Sequence, residues 1–145
     1  MNKKLKRWTP DKLILAVLFF FILVSPVFVS AITGSIGNAR MILRAETGDE
    51  IEKYVLVKNV NDVAIDVQIS VSGDLAEHID IQDESFTLEA GDEKKAYFTV
   101  DVKKSGTSES KINVQFTPVD GGNGVGLSST VIVIAEGDDS GWFNW

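Results

Sequence analysis

The chain has 145 residues, no cysteine and a formal net charge of −7 at pH 7. Without cysteine it has no disulfides, no thiolate metal ligands, no thiol nucleophile and no lipid-bearing cysteine. Residues 1–31 hold five basic side chains and one acidic one, a net charge of +4, which leaves −11 for the rest. So acidic a body excludes nucleic acid as a partner, because phosphate binding needs a basic face.

The first 31 residues have the three-part layout of a secretory signal peptide. Four basic side chains lie within residues 3–7, and residues 13–24 follow as an apolar run without a polar side chain. Small residues stand three and one before a cleavage site after Ala31. Positive charge ahead of the apolar run keeps the N-terminus in the cytoplasm and places everything after it outside.

An uncleaved membrane anchor is the alternative for the same segment. From residue 13 to residue 32 only Ser25, Pro26 and Ser30 interrupt the apolar sequence, and about twenty apolar residues can span a bilayer. The uninterrupted run itself has the length of a signal-peptide core. Both interpretations predict an N-terminal hydrophobic helix, contact of this segment with a membrane, and a body outside the cytoplasm.

After Ala31 the hydrophobic pattern changes to a period of two, which indicates β-strands. The clearest example is residues 65–72, where isoleucine and valine alternate with polar side chains. Glycine-containing turns separate the strands, and a single helical turn is predicted near residues 75–78. The pattern predicts an all-β, immunoglobulin-like antiparallel sandwich over residues 32–136. Its seven predicted strands cover residues 39–44, 51–60, 65–72, 86–88, 96–103, 111–117 and 131–135.

Two motifs carry a resemblance to a known group of domains. Val57-Lys58-Asn59 stands before the alternating strand, and Leu88-Glu89-Ala90-Gly91-Asp92 stands before the strand that contains Phe98. This arrangement resembles the extracellular immunoglobulin-like modules of archaea and bacteria, of the NPCBM-associated and CARDB-like type. The resemblance covers residues 40–135. It implies adhesion, surface display or an accessory role without a shared catalytic site.

The sequence gives little support for catalysis or metal binding. His78 is the only histidine, and we interpret it as a solvent-facing loop residue, since a catalytic triad also needs a nucleophile and an acid around it. One histidine and no cysteine exclude a zinc site. Calcium takes oxygen ligands, for which the candidates are the cluster of Asp80, Asp83 and Glu84 and the loop of residues 120–124. We expect no enzyme activity and no cofactor, and we interpret the loop as a flexible hairpin connection.

The C-terminal part of the chain contains two further candidates for partner binding. The tail, residues 137–145, is an acidic linker followed by Trp142, Phe143 and Trp145, which are aromatics suited to a partner, to the domain surface or to a membrane interface. The strand at residues 131–135 is apolar on both faces. It is either covered by the tail or the N-terminal strand, or it is an interaction edge.

These observations lead to a functional expectation. The chain is predicted to be a non-catalytic exported module that acts in cell-surface binding or adhesion through loops or a strand edge, with a protein or glycan partner. The alternative is a membrane-anchored accessory subunit of a surface filament or envelope assembly. A hydrolase is a more distant alternative, because no paired acid and base is visible in the sequence.

Overall fold

The computed structural model describes residues 7, 9–24 and 31–137, and the chain divides into two units, before and after the bond between residues 30 and 31. The first unit contains the helix α1 (Pro10–Val24). Proline suits the first position of a helix and Asp11 suits the positive end of the helix dipole, and the carbonyl of Thr9 accepts hydrogen bonds from the amides of Lys12 and Leu13. Among the described residues, no helix combines the length and the apolar character needed to cross a membrane.

The second unit is a β-sandwich of two sheets. Its strands are β1 (Gly34–Ile36), β2 (Arg40–Glu46), β3 (Glu50–Asn59), β4 (Ile65–Gly73), β5 (Ile79–Ile81), β6 (Ser85–Leu88), β7 (Glu93–Asp101), β8 (Gly106–Pro118) and β9 (Val125–Glu136). One sheet has the order β1-β3-β7-β5, and the other has the order β2-β9-β8-β4-β6. All neighbouring pairs are antiparallel except β2 and β9, which are parallel.

The chain crosses between the sheets at every connection from β1 to β8, and at two of these crossings an edge strand of one sheet continues through a short connection into an edge strand of the other. Residues 37–39 carry it from β1 to β2, and residues 82–84 carry it from β5 to β6. The edge strands β1 and β5 of the four-stranded sheet therefore both lead into edge strands of the other sheet. As a result β2 and β6 are the two edges of the five-stranded sheet.

The core lies between the sheets and is built from the inward-facing side of the predicted alternation. On β4, Ile65, Val67 and Ile69 are buried while the residues between them are exposed. Phe98 and Phe116 are the largest fully buried side chains. The period of two in the sequence predicted this arrangement, in which one face of the sheet is buried and the other is exposed to solvent.

The structure confirms the immunoglobulin-like sandwich and adds two strands to the seven predicted. The missing strands, β1 and β5, have three residues each, too few for a period of two to be visible. The predicted helical turn is present as a 3₁₀ helix at Ala76–His78. The hairpin prediction for residues 120–124 is also confirmed, because this loop joins the antiparallel neighbours β8 and β9.

Of the alternatives for the last strand, the interaction edge is wrong, and covering by the tail concerns residues outside the described ones. Strand β9 is not an edge, because it lies between β2 and β8. The N-terminal strand β2 pairs beside it instead of covering its outer face. Val131 and Val133 face the core, whereas Ile132 and Ile134 remain half-buried on the outer face.

Candidate functional site

The crossing from β1 to β2 is held by hydrogen bonds from three strands. The amide of Gly37 donates to the carbonyl of Leu56 at 2.8 Å, and the amide of Thr130 donates to the carbonyl of Ala39 at 2.9 Å. Asn38 adopts a left-handed conformation with a φ of 59°, which asparagine tolerates better than most residues. Its carbonyl accepts a hydrogen bond from the Ser129 hydroxyl. These contacts fix the position at which β2 begins.

Strand β2 leaves one row of backbone groups open. Its pairing with β9 begins at the Ala39 carbonyl and ends at Thr47, whose amide donates to the Glu136 carbonyl at 3.0 Å. In a parallel pair alternate residues bond to the same neighbour, so the N–H and C=O groups of Arg40, Ile42 and Arg44 point to the opposite side. Within the described part of the chain these groups have no hydrogen-bond partner.

At the C-terminal end of β2 the outward-facing backbone groups are already hydrogen-bonded. The amide of Glu46 donates to the Asp49 carboxylate at 2.8 Å, and the carbonyl of Glu46 accepts from the Asp49 amide at 3.1 Å. The open edge of β2 therefore consists of residues 40–44. We call this segment the β2 edge.

An apolar patch lies beside the β2 edge on the outer face of the five-stranded sheet. Ile42 is 57% exposed and stands opposite Ile132, and Ile134 follows on the same strand opposite Arg44. Exposed apolar side chains next to unpaired backbone groups are the features that an added strand requires. The patch and the open ladder thus form one continuous surface.

Three cations surround this surface. Arg40 and Arg44 flank Ile42 on the outer face of β2. Lys53, on β3 of the other sheet, lines a groove of about 330 Å³ together with Met41 and Ile42. The ion pairs of the described residues are formed by other lysines, so none of these three cations has an acidic partner there. In a body with a net charge of −11, unpaired cations at one edge favour an acidic partner.

Amide exchange tests whether the β2 edge is open. We expect the amides of Ile42 and Arg44 to exchange at least about a hundredfold faster than those of Met41 and Leu43, since only the latter pair bonds to β9. Residue-resolved hydrogen exchange by NMR measures the difference. Equal protection of all four amides would show that the edge is already occupied.

A second surface is less suited to binding. The polar face of β4, β8 and β9 borders a groove of about 580 Å³. Its side chains satisfy one another, since Asn113 donates to the Ser72 hydroxyl at 3.0 Å and accepts from the Ser128 hydroxyl at 2.8 Å. Beside this groove the edge strand β6 is short, since it pairs with β4 over only four residues.

The position of His78 differs from our prediction. Its side chain is half-buried at the end of the 3₁₀ helix and lines a cavity of about 240 Å³ with Asp74 and Ser108. These are the residue types of a hydrolytic triad, but a triad needs a hydrogen-bonded chain. The three residues form no such chain, and Asp74 instead accepts from the Glu109 amide at 3.1 Å. Asp74, His78 and Ser108 are therefore not linked to one another as the members of a triad are.

The other predicted site residues are dispersed or lie elsewhere. Asp83 pairs with Lys94 at 3.1 Å, and within the described ranges no cluster of acidic and histidine side chains could hold a metal ion. Ala31 is exposed and precedes β1. Trp142, Phe143 and Trp145 lie outside the described residues.

The residues of the β2 edge were not among the predicted site residues. The alternation Arg40-Ile42-Arg44 is visible in the sequence, but its importance depends on β2 being an edge strand, which only the pairing reveals. The signal that was available is the placement of two arginines on one face of a strand within an otherwise acidic body.

Comparisons with known proteins identify the fold and not the family. No protein-family model matches the sequence, and no curated protein does. Among solved structures, the chain is similar to a PapD-like domain of human CEP192, with a TM-score of 0.64, 14% identity and coverage of 79% of this chain and 97% of that one.

Two bacterial structures are also similar. The E. coli chaperone DraB has a TM-score of 0.59 and 15% identity, with coverage of 72% of this chain and 55% of that one. A chain of the CsuC–CsuE chaperone–tip adhesion subunit complex of Acinetobacter baumannii has a TM-score of 0.57 and 16% identity, covering 77% and 61%. The protein is thus an immunoglobulin-like β-sandwich whose neighbours are PapD-like domains. The narrower resemblance to NPCBM-associated and CARDB-like modules has no support among these neighbours.

Proposed function

We propose that this chain is an exported, non-catalytic module that binds a protein partner at the cell surface by adding one strand of the partner to the β2 edge. The observation that carries the proposal is the open row of backbone groups at residues 40–44 beside the exposed Ile42. Backbone pairing of this kind binds an extended polypeptide. It therefore favours a protein over a glycan as the partner.

The leader sequence supports a location outside the cytoplasm. In this proposal residues 1–31 direct export and are cleaved after Ala31, residues 32–136 form the binding module, and residues 137–145 are a tail. Mass spectrometry of the mature N-terminus tests the cleavage. A mature protein that still begins at Met1 in the membrane fraction would instead favour a tethered module.

The structural neighbours favour a second candidate function. DraB is a chaperone, and the Acinetobacter structure is a pre-assembly complex of a chaperone and an adhesion subunit from pili. A sandwich of this kind is suited to act as an accessory subunit of a surface filament, the alternative considered from the sequence. The two candidates share the β2 edge as the contact, and they differ in whether the partner is itself a filament subunit.

A proline on the β2 edge tests strand addition. We expect Ile42→Pro to remove the outward-facing N–H while sparing the β2–β9 ladder, because proline is tolerated on the open side of an edge strand. With a photo-crosslinking amino acid in place of Glu46, cells should give a partner adduct that falls at least about fivefold when Ile42→Pro is added.

Two controls make the crosslinking experiment specific. Ile42→Val keeps both the N–H and an apolar β-branched side chain and should retain most of the adduct, and a crosslinker in place of Ser70 on the polar face should give none. Thermal unfolding should show that Ile42→Pro is folded. An adduct that Ile42→Pro leaves unchanged would contradict strand addition at this edge.

A further inference from the structure

We infer that the strand bound at the β2 edge belongs to a different protein and has the pattern acidic–x–aliphatic–x–acidic, with its carboxylates facing Arg40 and Arg44 and its aliphatic side chain on Ile42. The inference rests on the proposed function, because it specifies the partner of the same edge.

The charge of the β2 edge is opposite to that of the rest of the body. Arg40, Arg44 and Lys53 have no ion pair within residues 31–137, although the body carries a net charge of −11. The nearest acid on the same face of β2 is Glu46, which lies beyond the open row. An incoming segment that covers residues 40–44 therefore meets Ile42 with one arginine on each side of it.

The geometry of strand pairing turns this charge into a sequence pattern. Alternate side chains of a strand lie on the same face, and side chains on one face of neighbouring strands interact directly. An added strand thus places three of its side chains, at every second position, beside Arg40, Ile42 and Arg44. Two carboxylates around an aliphatic side chain complement this set. The pattern is symmetric, so it fits in either strand direction.

Pairing with a second copy of this chain is disfavoured in the antiparallel registers that would align the open groups. An antiparallel pair centred on Met41 sets Arg44 opposite Asn38, whose carbonyl already accepts from the Ser129 hydroxyl. An antiparallel pair centred on Ile42 sets each Arg40 opposite an Arg44, and like charges directly opposite are destabilising. An antiparallel pair shifted by two residues, so that it is centred on Leu43, sets Arg40 opposite Glu46. The backbone groups of Glu46 are already bonded to Asp49, so the ladder would be incomplete.

Synthetic peptides test the pattern on the full chain in nonionic detergent micelles. We expect the blocked peptide Thr-Glu-Thr-Val-Thr-Glu-Thr to bind at least about fivefold more tightly than the peptide with glutamine in place of glutamate, and the lysine version to bind most weakly. The differences should shrink in about 1 M salt, where charges are screened. Isothermal titration calorimetry gives the affinities, and NMR shift changes at residues 40–44 give the position.

Charge reversal distinguishes recognition from a structural role. Arg40→Glu with Arg44→Glu should reverse the preference, so that the lysine peptide binds more tightly than the glutamate peptide. Lys103→Glu with Lys104→Glu makes the same change in net charge in the loop between β7 and β8, and it should leave the original preference intact.

The outcomes separate this inference from the proposed function. Equal binding of all three peptides, still abolished by Ile42→Pro, would overturn the acidic pattern and keep the edge as the binding site. Binding that neither Ile42→Pro nor the charge reversal affects would overturn both. Failure of every peptide to bind would overturn the pattern, while the crosslinking experiment decides the edge. Sedimentation that shows a dimer sensitive to Ile42→Pro would overturn the assignment to a different protein.

Discussion

Asn59→Asp is expected to lower the free energy of unfolding by about 4 kcal/mol. Asn59 is fully buried, and its side-chain amide donates to the carbonyls of Val63, Leu88 and Glu89 at 2.8, 3.1 and 3.0 Å. Aspartate has the same shape but no N–H group. The substitution would remove this donor from all three carbonyls, of which the Glu89 carbonyl keeps its bond from the Asp92 amide, and it would place a carboxylate among them.

The acceptor side of Asn59 explains why the site matters for the whole end of the sandwich. Its side-chain oxygen accepts from the backbone amide of Asn61 at 2.9 Å and from its side chain at 3.0 Å. Asn61 in turn exchanges two hydrogen bonds with the backbone of Thr33, at 2.8 and 2.9 Å. One buried side chain thus joins the ends of β3 and β6 to the residue before β1.

Two further variants make the prediction for Asn59 specific. Asn59→Ala should cost about 3 kcal/mol, since it removes the hydrogen bonds without adding a charge. Asn113→Asp is the same chemical change on the polar outer face, and there the cost should stay below about 1 kcal/mol. Urea unfolding followed by circular dichroism measures all three. Equal losses for Asn59→Asp and Asn113→Asp would contradict the role of the buried network.

The sequence predicts those strands in which apolar and polar residues alternate over enough positions to be recognised. Strand β4 is the best case, because each of its buried side chains is visible as one member of an apolar–polar pair. The strands β1 and β5 are different, since each is fixed by partners far along the chain. Gly34 pairs with Asn59, and Ile79 pairs with Val100. A segment of three residues contains no pattern that would indicate these partners.

The same distinction applies to the candidate site. The apolar outer face of residues 131–135 was recognised, but its explanation required the knowledge that Ile132 stands opposite Ile42. The importance of Asn59 was visible only as part of the motif Val57-Lys58-Asn59, because nothing local indicates that this asparagine is buried. Pairing partners and burial of polar groups are properties of the folded chain, and a single sequence does not contain them directly.

Gly34→Ala is expected to lower the free energy of unfolding by about 1–3 kcal/mol, although it adds a single methyl group. A Cβ atom at Gly34 would lie 2.7 Å from Cε2 and 2.8 Å from Cδ2 of Phe116. The Phe116 ring is fully buried in the core, so it has no free space into which to move. Gly126→Ala is the matched control, since nothing lies within 4 Å of the new Cβ.

The close approach of Gly34 to Phe116 also predicts the outcome of a double-mutant cycle. Phe116→Ala alone should cost about 3–5 kcal/mol, because it empties a large buried volume. In that background the obstacle to a Cβ at Gly34 is gone, so Gly34→Ala should cost at least about 1 kcal/mol less than in the native chain. Urea unfolding of the four proteins measures the coupling. Strictly additive losses would mean that strain elsewhere, and not contact with the ring, excludes a side chain at Gly34.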